Sequence, residues 1–290
     1  MGGQRIALNM LENYKQIINE ELINIFKSFK KDYIPKILYD AMHYSVFNGG
    51  KRIRPVLCIA TYEAVNAVQN KSKFKIQNSK FRSVMPFACG IEFIHTFSLI
   101  QDDLPSMDND DFRRGKPTLH KAFNEGVALL AADALFAFAF EVFARAPVDE
   151  KRKNRAIAEL ARICGPTGLV AGQLLDIKKK SQIRIGRTKD KGQKLIDEKK
   201  TAQLIAGAMK IGAIVAGAKD KIIDNIAKAG IYLGLLFQAT DDLLDSKIKR
   251  QDLIERSRSY EKNAKRIFRK LGVNFADFIG FTDFILERKA

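Results

Sequence analysis

The chain has 290 residues, 46% of them hydrophobic and 29% charged, with 50 Lys plus Arg against 33 Asp plus Glu and a formal balance of +17. That composition supports a sizeable core and excludes a disordered chain; it offers no unbroken membrane-spanning run, since Glu92 and His95 interrupt Val84 to Ile100, and Asp133 and Glu141 interrupt Val127 to Ala146. The positive excess lies at 70–83 (+5), 178–194 (+7) and 246–290 (+6), leaving the remainder at −1, and only Phe74 and Phe81 offer the aromatic interleaving a nucleic-acid surface would want, so no nucleic-acid partner is expected.

In chain order, the N-terminus lacks the apolar core of a signal peptide, and Ile6 stands where a myristoylation motif wants Ser or Thr. A mature cytoplasmic protein is expected. Leu11, Tyr14, Ile17, Ile18, Leu22, Ile25, Phe26 and Phe29 recur at three- and four-residue steps, as on one face of an amphipathic helix. Gly49 and Gly50 punctuate, and Pro55 suits the first turn of the helix that follows. Apolar helical windows then fall at 84–104, 122–146, 154–177, 197–217, 221–246, 258–270 and 275–288, with the basic stretches near 70–83 and 178–194 read as loops. No alternating run bounded by hairpin signals makes a strand. The fold class is therefore all-α: a single domain over residues 1–290, one large helical bundle of about ten helices. Ala128 to Phe143 is apolar nearly all round and is expected at the bundle's centre. Cys58, Cys89 and Cys164 lack metal-ligand spacing and read as reduced core thiols.

The chemistry gathers in two acidic clusters. In Asp241-Asp242-Leu243-Leu244-Asp245 the outer aspartates are i and i+4, so both carboxylates project from one helix face. In Asp102-Asp103-Leu104-Pro105-Ser106-Met107-Asp108 the spacing is longer, but Pro105 biases Leu104 away from helical geometry, so Asp108 can reach back from a loop. Such carboxylates suit Mg²⁺, which takes one or two from protein and leaves its other positions to water and substrate phosphate. Each cluster follows an apolar helix, where a carboxylate without a partner would be costly. Cations accompany them: Lys51 and Arg54 after the glycine pair, Arg113 and Arg114 after the first cluster, and Lys200 before Thr201. Arg grips phosphate oxygens in a fork and Lys adds a mobile point charge. The combination implies a ligand that is polyanionic at one end and apolar at the other.

The stretches GGKRIRP (49–55), IEFIHTFSLIQDDLPSMDNDDFRRGKPTLHK (91–121), GLVAGQLLDI (168–177), KTAQLI (200–205) and FQATDDLLD (237–245) resemble the trans-isoprenyl diphosphate synthases, or polyprenyl synthetases. Within that family the resemblance is to bacterial short-chain farnesyl and geranylgeranyl diphosphate synthases. It implies the isoprenoid synthase bundle around a central apolar cavity. It also implies Mg²⁺, about three ions bound with the allylic diphosphate, on Asp102, Asp103 and Asp108 from one wall and on Asp241 and Asp245 from the other. Arg113 would contact the allylic diphosphate, while Lys51, Arg54, His95 and Arg114 would bind isopentenyl diphosphate. Lys200, Thr201 and Gln238 would line the allylic site beside the departing diphosphate, with Gln173 and Asp176 in support. Phe97 and Ser98 would set the pocket's depth, and an aromatic at Phe97 together with the longer first cluster goes with a farnesyl product. A homodimer is implied as well.

The implied reaction condenses isopentenyl diphosphate head-to-tail with dimethylallyl or geranyl diphosphate. Charge on the leaving diphosphate is stabilised, the allylic C–O bond ionises, an apolar pocket shields the cation, the isopentenyl double bond attacks, and a proton is lost to the released diphosphate. After Asp245 the family pattern breaks off: its Gly-Lys loop, further Asp and Lys-Thr-Tyr-Pro stretch are missing, and Lys247, Lys249 and Arg250 stand there instead. Gln101 replaces a usual His and Ala132 a usual Gly. Two readings stand. One is an active short-chain prenyltransferase with a shortened segment after 245; the other is a catalytically silent homologue serving as a binding or regulatory subunit of a heteromeric synthase.

Overall fold

The computed structural model describes residues 2–29, 33–70, 81–184, 192–245 and 251–287. Two helices start at a capping side chain and one stops ahead of a proline. Asn124 accepts the Val127 N–H at 2.8 Å and Asp149 accepts the Arg152 N–H at 3.1 Å, each opening a helix. Leu104, with ψ 151° ahead of Pro105, closes another. The elements in order are α1 (Gly2–Ser28), α2 (Lys36–Val46), α3 (Ile53–Asn70), α4 (Met85–Asp103), α5 (Leu119–Ala122), α6 (Glu125–Ala144), α7 (Glu150–Cys164), α8 (Leu169–Arg184), α9 (Gln193–Asp197), α10 (Gln203–Val215), α11 (Asp220–Asp245), α12 (Gln251–Leu271) and α13 (Ala276–Glu287). The fold is all-α, as the periodicity indicates.

Several expectations need correction. The window 154–177 is two helices, because Gly165 and Pro166 interrupt it and Gly165 is extended. Residues 178–184 continue α8 rather than forming a loop, while 71–80, 185–191 and 246–250 lie outside the described residues. Phe81 is not presented to a ligand; it is buried, with its ring 6.0 Å from that of Tyr14. A short ribbon pairs β1 (Phe112–Arg113) with β2 (Lys116–Pro117), turning through Arg114 and Gly115, both at positive φ.

The centre of the bundle is α4 and α10, buried nearly all round, with α4 packed on α6 and α10 on α3 and α11. The most apolar helix, α6, is not central. Its alanines Ala128, Ala131, Ala132 and Ala139 let it approach α4 closely, while Leu129 and Leu130 on its other side stay exposed, Leu130 by 61%. Among the described residues α6 is also the one helix long and apolar enough to cross a membrane.

Candidate active site

The Gly49–Arg54 segment curls into a cradle because Gly49 and Gly50 take φ of 82° and 124°. Gly50 is also required by space: a Cβ there would sit 2.7 Å from Nη1 of Arg114, which donates to the Gly49 carbonyl at 2.5 Å. Against the cradle opens a cleft of about 790 Å³ that gathers Lys51, Arg54, His95, Arg113, Arg114, Thr201, Gln238 and Asp241. Arg54 and His95 meet at 3.1 Å. Burial, then Arg54 and Arg114, hold the His95 ring well below its usual range, so it is neutral and can accept from the guanidinium. Burial also pushes Arg54 down to about 10, which still leaves it cationic at neutral pH. Its Nε is buried with no hydrogen-bond partner among the described residues.

A second group forms where α4 ends. The Asp108 N–H donates to the Asp102 carbonyl at 2.9 Å, which folds the loop back over the helix terminus. Lys200 Nζ lies 3.0 Å from Asp176 and 3.6 Å from Asp102. Burial pushes the Asp102 carboxyl up to about 6; Lys200 opposes the rise and Asp108 adds to it. Asp103, which the resemblance places among the metal ligands, is held by an arginine here. Only 4% exposed, it accepts from Arg113 Nε at 2.8 Å and from Nη2 at 2.5 Å. Adjacent helical residues point about 100° apart, so Asp102 and Asp103 face different surroundings. Arg113 is correspondingly clamped by Asp103 and lines the cradle's cleft.

Lys200 and Thr201 sit in a single π turn, Glu198–Ala202, that joins α9 to α10 and widens the helix locally. Gly172 of α8 meets this turn backbone to backbone, since a Cβ there would lie 2.7 Å from the Lys200 nitrogen. Thr201 donates to Gln238 at 2.7 Å, and Gln238 donates to Asp242 at 2.9 Å, leaving Asp241 toward the cleft. Asp245 ends α11, and its side chain lies outside the described residues.

Among the described residues no three acidic, His or Cys side chains converge closely enough to hold a metal unaided. The donors still suit Mg²⁺, because Asp102, Asp108 and Asp241 offer hard carboxylate oxygens. Phe97, 8% exposed, packs on Phe136 of α6 with ring centres 4.9 Å apart. Ser98 is engaged within its own helix, donating to the His95 carbonyl at 2.9 Å. Gln173 reaches Met107 Sδ at 3.8 Å.

Four residues had no role expected from sequence: Lys15, which lines the cleft from α1, the buried Arg52 and Glu92 at its wall, and the half-buried Asn19 that Arg52 reaches. Glu92 had one visible signal, an acid inside an apolar helix. Lys15 had none.

The family model described as polyprenyl synthetase matches residues 35–259. Over 221 residues the chain is 45% identical to a chloroplastic geranylgeranyl pyrophosphate synthase of Catharanthus roseus, covering 76% of this chain and 58% of that protein. It is 42% identical over 219 residues to the heterodimeric geranylgeranyl pyrophosphate synthase large subunit 2 of Arabidopsis thaliana, covering 76% and 55%. The chain thus spans little more than half the length of these curated relatives. Among solved structures, a geranyltransferase from Legionella pneumophila matches with a TM-score of 0.84 at 29% identity over 98% of both chains. An FPP/GFPP synthase from Zymomonas mobilis matches with 0.79 at 29% identity, over 96% of this chain and 98% of that one.

Proposed function

Because the chain belongs to the polyprenyl synthetase family, we propose that it is a short-chain prenyltransferase that condenses isopentenyl diphosphate head-to-tail with an allylic diphosphate and releases inorganic diphosphate. What supports this reading is a pair of differently built groups: Lys51, Arg54 and Arg114 gathered at a loop that has no carboxylate of its own, and Asp102 and Asp176 gathered around Lys200. A hydrolase or a cyclase acting on one diphosphate needs only the second.

In this reading Lys51, Arg54 and Arg114 hold isopentenyl diphosphate, with His95 orienting Arg54. Asp102, Asp108 and Asp241 would hold Mg²⁺, which when bound neutralises charge growing on the departing diphosphate. Lys200 places a further cation where that charge develops, and Thr201 is fixed beside it through Gln238. Leu99, Phe237 and the buried Phe97 give the allylic cation a dry wall. The proton lost after carbon–carbon bond formation goes to the released diphosphate.

The depth of that wall bears on product length. Phe97 lies five residues before Asp102, about 7.5 Å along the helix, and Phe136 backs it; this supports arrest at farnesyl diphosphate. A second reading, a geranylgeranyl product, is favoured by the names of the relatives. The exposed Leu129 and Leu130 face of α6 supports a homodimer. The alternative of a silent subunit is disfavoured by the retained Asp102, Asp108, Lys200 and Asp241.

The test is incubation with Mg²⁺, labelled isopentenyl diphosphate and, in turn, dimethylallyl, geranyl and farnesyl diphosphate, with products resolved by length. Extension that stops at farnesyl supports the full reading, and extension of farnesyl diphosphate itself replaces the product with the longer one. Folded protein that binds the allylic substrate without extending it overturns the enzyme.

A further inference from the structure

Arg52 stands between two cations of the cradle, yet it is itself only 5% exposed, and its backbone φ of 50° falls in the left-handed region that a Cβ disfavours. Such a conformation persists only where the surroundings over-determine it. Here they do. Arg52 Nη1 donates to Glu92 at 2.5 Å, Nη2 to the Val46 carbonyl at 2.7 Å, and Nε to Asn19 at 3.0 Å. Those acceptors belong to α4, the end of α2, and α1, so one guanidinium ties the cradle to three helices. Glu92 is 2% exposed and sits three residues before His95 on α4. Its second oxygen is buried with no hydrogen-bond partner among the described residues, and its negative charge acts on both Arg54 and Arg114.

We propose that Arg52 and Glu92 are positioning residues for the second substrate: the buried pair, latched to α1 through Asn19, holds the Gly49–Arg54 cradle in the shape that grips isopentenyl diphosphate. The inference rests on the function proposed above, and the pair acts through Lys51, Arg54 and Arg114.

Charge alone predicts the opposite of positioning. Glu92→Gln makes the cleft more positive and on that ground would strengthen anion binding, whereas a loosened cradle weakens it. The experiment is steady-state kinetics of the full chain with Mg²⁺, varying the two substrates separately, on Glu92→Gln and on the milder Asn19→Ala, which removes one of the three contacts. The KM for isopentenyl diphosphate is expected to rise about tenfold in the first and about threefold in the second, with the allylic KM within about twofold of wild type. A KM for isopentenyl diphosphate that holds or falls in both variants overturns the positioning role. So does an allylic KM that rises in step, which would mark general structural damage. Where Glu92→Gln does not fold, Asn19→Ala decides alone. Wild-type protein without extension overturns the proposed function and this inference with it, while wild-type extension with unmoved KM values overturns this inference only.

Discussion

Lys200 reaches two carboxylates at once, Asp176 at 3.0 Å and Asp102 at 3.6 Å, and so marks where the polar end of the allylic substrate is proposed to lie. At this scale the outer aspartates should matter most. Asp102→Ala and Asp241→Ala are each expected to lower turnover by at least about a hundredfold, since each removes charge stabilisation developed in the transition state; near-normal steady-state rates in either would remove that residue from the site. Lys15 is expected to add a cation to the cleft: Lys15→Ala should raise the KM for isopentenyl diphosphate severalfold and leave the allylic KM unmoved, measured as a pair. Asp102, Arg54 and Lys200 were legible in the sequence as candidates because each sits in a motif, and the structure places Lys200 beside Asp102 and Arg54 in the cleft. The grip of Arg113 on Asp103 was not legible there, because the two residues are ten apart and the contact is created by the β1–β2 turn.

At the scale of elements, helix positions follow the apolar period closely, and errors arise where period and environment part. Helix α6 is apolar on every side, which reads as a central position, but α4 already occupies the centre and α6 contacts it through alanines on one face. The break between α7 and α8 was carried by Gly165-Pro166, a local signal inside an otherwise continuous period. The π turn has no composition signal; α8 seats closely against it through Gly172. Gly172→Ala is therefore expected to push α8 off that turn and shift Lys200, lowering kcat roughly tenfold; kinetics and thermal melting on one sample would show whether catalysis falls further than stability. The tilted Phe97–Phe136 pair between α4 and α6, proposed above as the pocket's floor, gives another test. Phe97→Ala opens space down to Phe136, and chromatography of the products should show longer chains; an unchanged distribution would place the floor elsewhere.

At the scale of the whole molecule, the balance of +17 is separable from the cleft, since the motif-bearing remainder is nearly neutral and the cations that line the cleft are a few placed side chains. The helices bring the cradle from the α2–α3 turn, Thr201 from the turn before α10 and Asp241 from α11 into one cleft, and set Lys200, next to Thr201, against Asp102 at the end of α4. The 246–250 connection between α11 and α12 is where the chain leaves the family pattern it otherwise resembles, and the family match nevertheless runs past it to 259. The central claim is that two diphosphates are held at once and only one is released. Its most direct measurement is inorganic diphosphate release with Mg²⁺, with each substrate omitted in turn. Release is expected only when both substrates are present, one diphosphate for each isopentenyl unit incorporated. Release from the allylic diphosphate alone at the same rate, or no release with both present, would contradict it.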